Sequence, residues 1–226
     1  MISGYFGLPG CGKTTILARA AVKEQKRIER GKSRYKYVYS NVPVMYPGIR
    51  TLSKSDLGVN MIEDALILVD EATLFADCRN HKSFPEELTY FFMLHRHYGC
   101  DFVYFTQFFD SVDKRMRTVT ERLYYVKRGF LGRTICTRIP KAIIIPKDTG
   151  DIVEGYRMPN FFERLLYRRA FFRRPWYKYF DSYIELKPLN NKIYPYWLPD
   201  RKVIDIRLHP ALVLLILRFY FKKTKA

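Results

Sequence analysis

Nowhere does this chain hold the roughly 20 consecutive apolar residues that a membrane-spanning helix needs. The longest candidate, Ala211 to Leu217 (ALVLLIL), is extended by Phe219 to Phe221 but interrupted by Arg218. An interfacial or partner-binding helix is the first reading, a buried core helix the second and a true span the last. Lys222, Lys223 and Lys225 favour the cytoplasmic side. Acid is also scarce: 22 Asp and Glu face 40 Lys and Arg, a formal charge of +18. That balance excludes an acidic solvating chain and points to an anionic partner, either nucleic acid or an acidic membrane face. Cysteine is limited to Cys11, Cys78, Cys100 and Cys136, too scattered for a disulfide framework, so a reducing, cytoplasmic compartment is expected. A signal sequence is not expected either, because the first residues already read as a strand. There are no internal repeats and no low-complexity tracts.

What is present begins with core material. With 226 residues, 48% of them hydrophobic, the chain can bury one sizeable α/β domain plus an appendage. The opening reads MISGYFGLPGCGKTTILARA, in which Gly7, four residues, Gly12, Lys13 and Thr14 fit the phosphate-loop pattern. Ile2 to Phe6 suits a buried strand, and Thr15 to Val22 suits the first turns of a helix that ends near Gly31. Between them Gly7, Leu8, Pro9, Gly10, Cys11, Gly12, Lys13, Thr14 and Thr15 form the expected nucleotide cradle. Backbone amides and the helix N-terminus face the phosphates. Lys13 neutralises β/γ oxygens and the Thr14 hydroxyl ligates Mg2+.

Further along, Tyr35 to Val44 is expected as a strand, Asp64 to Asp70 as a buried strand, and Phe84 to His97 as a helix. Asp101 to Gln107 is another buried strand, Asp113 to Thr120 a helix, and a hairpin turns through Gly129 and Gly132. Strands alternating with helices predict a mostly parallel sheet with right-handed crossovers. The character changes past Gly155, so a boundary is placed near Asp151: an ATPase domain over residues 1–150 and a basic, aromatic-rich appendage over 151–226.

ILVDEAT supplies the second half of the site. Asp70 at the strand end holds Mg2+ through water, and Glu71 is placed as general base toward the attacking water. An adjacent carboxylate argues for hydrolysis of ATP rather than phosphate transfer to a substrate. Gln107, ending its strand, is a candidate γ-phosphate sensor, its alternative being a polar strand terminus. The segment Asp113-Lys-Arg-Met-Arg117 offers an arginine that can complete a neighbouring subunit's site, or simply a solvated basic face. Cys78-x-x-His81 and His97-x-x-Cys100 have spacing that suits zinc, against core packing or phosphate contact.

Taken together, GLPGCGKT, SNVPV, ILVDEAT, LHRHYGCDFVYFTQ and DKRMR resemble the zonular occludens toxin family, whose phage members are the assembly ATPases of filamentous phages, the gene I proteins of inoviruses. The resemblance covers roughly residues 1 to 128, and its most diagnostic part is HR-x-x-G-x-D-x-x-x-x-TQ with the D-x-x-x-R that follows. It implies an additional-strand P-loop ATPase akin to the FtsK and HerA pumps. Such an enzyme drives single-stranded phage DNA through the host inner membrane from its cytoplasmic face, as a homo-oligomer that can form a hexameric ring. By position, Lys13, Thr14, Asp70, Glu71, Gln107 and Arg117 inherit the nucleotide roles. Family members usually continue into a transmembrane helix and a periplasmic part, and here the sequence departs from them.

Arg157 to Lys178 (RMPNFFERLLYRRAFFRRPWYK) interleaves seven basic residues with aromatics. Single-stranded DNA, an anionic membrane surface and an ordinary amphipathic helix docked on the core all fit it. Two alternatives to the export motor stand beside it: a packaging ATPase that fills a capsid, and a non-motor scaffold that binds lipid or protein under nucleotide control.

Overall fold

The computed structural model describes residues 1–53, 56–57, 62–74, 86–144 and 153–180. The chain divides into two units, Met1–Ile184 and Glu185–Ala226. The second unit, with the apolar stretch at 211–221, lies outside the described residues, as does the expected boundary near Asp151.

Strand β1 (Ile2–Phe6) leads through the glycine-rich loop into α1 (Lys13–Glu29). Next come β2 (Tyr37–Ser40), β3 (Ile49–Thr51), β4 (Ala65–Val69), α2 (Glu86–Leu94), β5 (Asp101–Thr106) and α3 (Lys114–Thr118). The hairpin β6 (Arg122–Arg128) and β7 (Arg133–Ile139) is followed by β8 (Lys141–Ile144), β9 (Val153–Tyr156), α4 (Phe161–Tyr167) and β10 (Arg168–Phe172). Eight strands form one sheet in the order β10-β7-β6-β1-β5-β4-β2-β3, while β8 and β9 pair separately. From β6 to β3 all neighbours are parallel, and β7 and β10 add two antiparallel strands at one side. β5 lies between the phosphate-loop strand and the Asp-Glu strand, which is the additional-strand arrangement.

Period-two alternation divides the sheet residues between two cores. On one face Ala65, Ile67 and Val69 join Phe102 and Tyr104 against Leu88, Phe91 and Phe92 of α2 and Met116 of α3. On the other, Leu66, Leu68 and Phe105 pack on Leu17 and Ala21 of α1. All five residues of β4 are buried, as a strand covered on both faces requires. Edge-on rings lock the first layer: Phe92 and Phe102 lie 5.0 Å apart at 79°, a geometry that adds about 0.5–1.5 kcal/mol beyond burial. A side chain at Gly4 of β1 would come within 2.6 Å of the Tyr104 ring, so glycine makes room for it. The Tyr104 hydroxyl then pairs with Thr120 at 2.8 Å inside the core.

Most elements fall where the sequence places them, with shorter ends. β2 stops at Ser40, because the Ser40 hydroxyl donates to the Val42 carbonyl at 2.7 Å and accepts from the Val42 amide, turning the chain ahead of Pro43. α2 ends at Leu94, where a turn closes with the His97 amide on the Leu94 carbonyl. α3 is only five residues, capped by the Asp113 side chain accepting from the Arg115 amide. The expectation did not include β3, β8, β9 or β10.

Candidate nucleotide site

The loop after β1 is shaped by two left-handed glycines, Gly10 (φ 71) and Gly12 (φ 99). At Gly12 a side chain would meet the Thr134 hydroxyl at 2.3 Å, so both conformation and space demand glycine. Leu8, Pro9 and Gly10 face solvent, and Cys11, Lys13 and Thr15 are buried. The Lys13 ammonium folds back on its own loop, donating to the Gly7 carbonyl at 2.6 Å and the Leu8 carbonyl at 3.3 Å. Burial pushes the Cys11 thiol up, opposed by the charges of Lys13 and Arg173.

Parallel pairing of β1, β5 and β4 brings three strand ends to one edge, with Phe6 opposite Thr106 and Val69 opposite Tyr104. The Thr14 hydroxyl donates to the Asp70 carboxylate at 2.6 Å, joining the loop helix to the Asp-Glu strand. Asn41 clamps the same position: its side-chain amide donates to the Asp70 carbonyl at 2.8 Å and its oxygen accepts from the Asp70 amide at 2.7 Å. Burial pushes the Asp70 carboxyl above its ordinary value, countered by the Thr14 hydroxyl and the Glu71 amide. A carboxylate disfavoured in its charged form, beside a hydroxyl on a helix start, fits the donor set of a hard cation such as Mg2+.

Glu71 sits in the left-handed region at φ 51, a strained position for a residue with a side chain. Its carboxylate accepts from the Thr73 hydroxyl at 2.8 Å and, across the strand ends, from the Gln107 amide at 3.4 Å. Gln107 is exposed just past β5. The fold therefore gathers Lys13, Thr14, Asp70, Glu71 and Gln107. Arg117 stands apart: it donates to Asp110 at 3.1 Å and lies 5.8 Å from the Phe109 ring, and among the described residues no hydrogen bond joins it to that group.

Of the two pairs spaced for zinc, one is described. Cys78 and His81 lie outside the described residues, His97 is exposed, and the buried Cys100 thiol donates to the Ile62 carbonyl. Among the described residues no group of three or more His, Cys, Asp or Glu is arranged for a metal, and no helix is long and apolar enough to cross a membrane.

Three residues of the site were not anticipated. Asn41 was visible only within SNVPV, without a role. Thr134 donates to the Cys11 carbonyl at 3.0 Å, and Arg173 donates to the Gly10 carbonyl at 2.9 Å. Both come from far along the chain, with no local signal.

Asp70→Asn gives the first test of this electrostatics. Removing a buried charge whose ionised form is disfavoured stabilises the nucleotide-free protein at neutral pH, so Tm is expected to rise. Thermal unfolding of both forms without Mg2+ checks it, and a fall in Tm speaks against the penalty.

A sequence model of the family described as zonular occludens toxin (Zot) matches residues 47–159. Among solved structures, the N-terminal domain of zonular occludens toxin from Neisseria meningitidis is 20% identical, with 74% of this chain and 97% of that one covered and a TM-score of 0.50. The DNA-packaging ATPase of Sulfolobus Turreted Icosahedral Virus is 8% identical over 70% of this chain and 98% of that one, with a TM-score of 0.45. Flagellar accessory protein FlaH from Methanocaldococcus jannaschii is 10% identical over 70% and 89%, with a TM-score of 0.41. Comparison with curated proteins finds no match. At 20% identity the first likeness shows a shared fold, consistent with the strand order above.

Proposed function

The chain belongs to the zonular occludens toxin family, whose model covers half of it, and on that premise we propose that it is an Mg2+-dependent ATPase that drives phage DNA export and virion assembly. The observation that carries the reading is the 2.6 Å bond from Thr14 to Asp70, with Glu71 and Gln107 meeting beside it. ATP is the substrate. Lys13 leaves the carbonyls of Gly7 and Leu8 for the phosphate oxygens, which offer it full negative charge instead of carbonyl dipoles. Glu71 accepts the proton of the attacking water, and Gln107 orients that water or reports the γ-phosphate. Thr14 and Asp70 would hold Mg2+, whose chemistry is to neutralise charge on the departing phosphate.

The working place is the cytoplasmic face of the host inner membrane, in a homo-oligomer, six-membered if it closes as a pump ring. Arg117, paired with the exposed Asp110 and not with its own chain's site, would exchange that partner for a neighbour's nucleotide. The cargo is single-stranded phage DNA, supported by the excess of cations. Membrane contact is supported by α4, where Phe161, Phe162, Leu165 and Leu166 are each at least 70% exposed. Arg164, Arg168 and Arg169 lie on and just after that helix, a combination suited to anionic headgroups.

Steady-state ATPase rate, measured alone, with single-stranded DNA and with anionic vesicles, tests the reading. A several-fold stimulation by single-stranded DNA is expected. Stimulation by vesicles alone would instead favour a membrane-docked scaffold, and stimulation by duplex DNA without any vesicle binding would favour capsid packaging.

A further inference from the structure

Arg173 is buried at 8% exposure, and no carboxylate among the described residues pairs with it. Its partners are carbonyl oxygens: Nη1 donates to Gly10 at 2.9 Å and Nε to Gly132 at 3.3 Å. Its own backbone amide also donates to Gly132, at 3.1 Å. Placing a guanidinium in the interior without an acid is costly, so this contact is not incidental packing.

The geometry of the peptide shows what the contact does. In a trans peptide the carbonyl and the following amide point in opposite directions. With the Gly10 carbonyl held by Arg173 and the Cys11 carbonyl held by Thr134, the amides of Cys11 and Gly12 are turned the other way. Among the described residues the Cys11 amide donates to the Leu8 carbonyl, at a long 3.3 Å, a bond that a phosphate oxygen readily replaces. Arg173 owes its place to β10, which pairs with β7 in register so that Phe172 faces Arg133 immediately before it. The same segment is fastened to the loop helix, where the Arg19 guanidinium lies 4.6 Å from the Phe171 ring and 5.9 Å from Trp176.

We propose that Arg173 is a positioning residue of the nucleotide site: by bridging the Gly10 and Gly132 carbonyls it holds the phosphate loop with its amides presented to the polyphosphate. The inference rests on the nucleotide reading above. It makes the basic, aromatic segment part of the phosphate-binding apparatus, whatever else that segment binds.

The experiment measures ADP affinity without turnover, beside KM and kcat for ATP and the melting temperature, in wild type, Arg173→Gln, Arg173→Lys and Thr134→Val. Lysine keeps the charge but cannot span both carbonyls. ADP binding is expected to weaken about tenfold in both Arg173 variants, the scale seen when a partner that orients a ligating group is removed. KM rises in parallel, kcat stays within about threefold, and Thr134→Val shifts affinity in the same direction. If Arg173→Gln does not fold, Arg173→Lys decides. Wild-type ADP affinity in a folded Arg173→Lys, with only the melting temperature lowered, overturns the inference. A wild-type chain that binds no ADP overturns the nucleotide reading itself, so the two failures are distinguishable.

Discussion

Glu71→Gln retains ATP binding and loses turnover by about 10²–10⁴-fold, the range for removing a general base. The expectation follows from where Glu71 stands. It follows Asp70 directly, takes a left-handed backbone at φ 51, and its carboxylate meets Thr73 and Gln107. Glutamine keeps the side-chain volume, accepts from Gln107 through its oxygen and donates to the Thr73 hydroxyl once that hydroxyl turns, so the loop, Lys13 and Asp70 stay as they are. Only the ability to accept a proton is lost. Nucleotide affinity and phosphate release, measured on the same preparation, separate the two functions. Equal loss of binding and turnover removes Glu71 from the role of base.

Lys13→Ala loses both functions together. The ammonium is buried and rests on Gly7 and Leu8, from where it needs only side-chain rotation to meet a polyphosphate. Its removal leaves the loop amides without a full charge beside them, and turnover falls by at least about 10²–10³-fold, as for loss of a preorganised donor. ATP affinity falls as well, because Lys13 contacts the ground state too. The substitution also leaves the buried Gly7 carbonyl without its 2.6 Å partner, so the melting temperature is read beside the affinity. Titration with a fluorescent ATP analogue beside phosphate release checks this, and an Ala variant with wild-type affinity contradicts the assigned role.

The two substitutions bracket what was legible in the sequence. The loop Gly7–Thr14, the strand ending in Asp70-Glu71 and the strand ending at Thr106 each carry a local pattern: glycines at fixed spacing, an all-apolar run, an apolar run closed by Gln107. Such patterns constrain the backbone within a few residues, and the elements form within two or three residues of the expected ends, apart from the longer trim at the end of β2. The mostly parallel sheet followed as well, because strands alternating with helices call for crossover connections.

What escaped is non-local. Asn41 acts on Asp70 across 29 residues and Arg173 on Gly10 across 163, and nothing in Arg173's neighbourhood distinguishes it from the six other cations of the same stretch. β10 was hidden for a related reason. RRAFF has no alternation of apolar and polar residues, since it is an edge strand whose stability comes from pairing with β7 and from cations over its rings. The role proposed for Arg117 in a neighbouring subunit's site belongs to a third category. A residue that completes a neighbour's site leaves no mark within one chain beyond an arginine held by an exposed acid, Asp110.

Phosphate release from ATP by the purified full-length chain, with and without Mg2+ and with Lys13→Ala as the blank, is the most direct test of the central claim. The account predicts multiple-turnover release that stops when Mg2+ is chelated and is absent from the Lys13→Ala protein. Release that persists unchanged in that variant, or a wild-type chain that binds ATP and never hydrolyses it, would contradict the account.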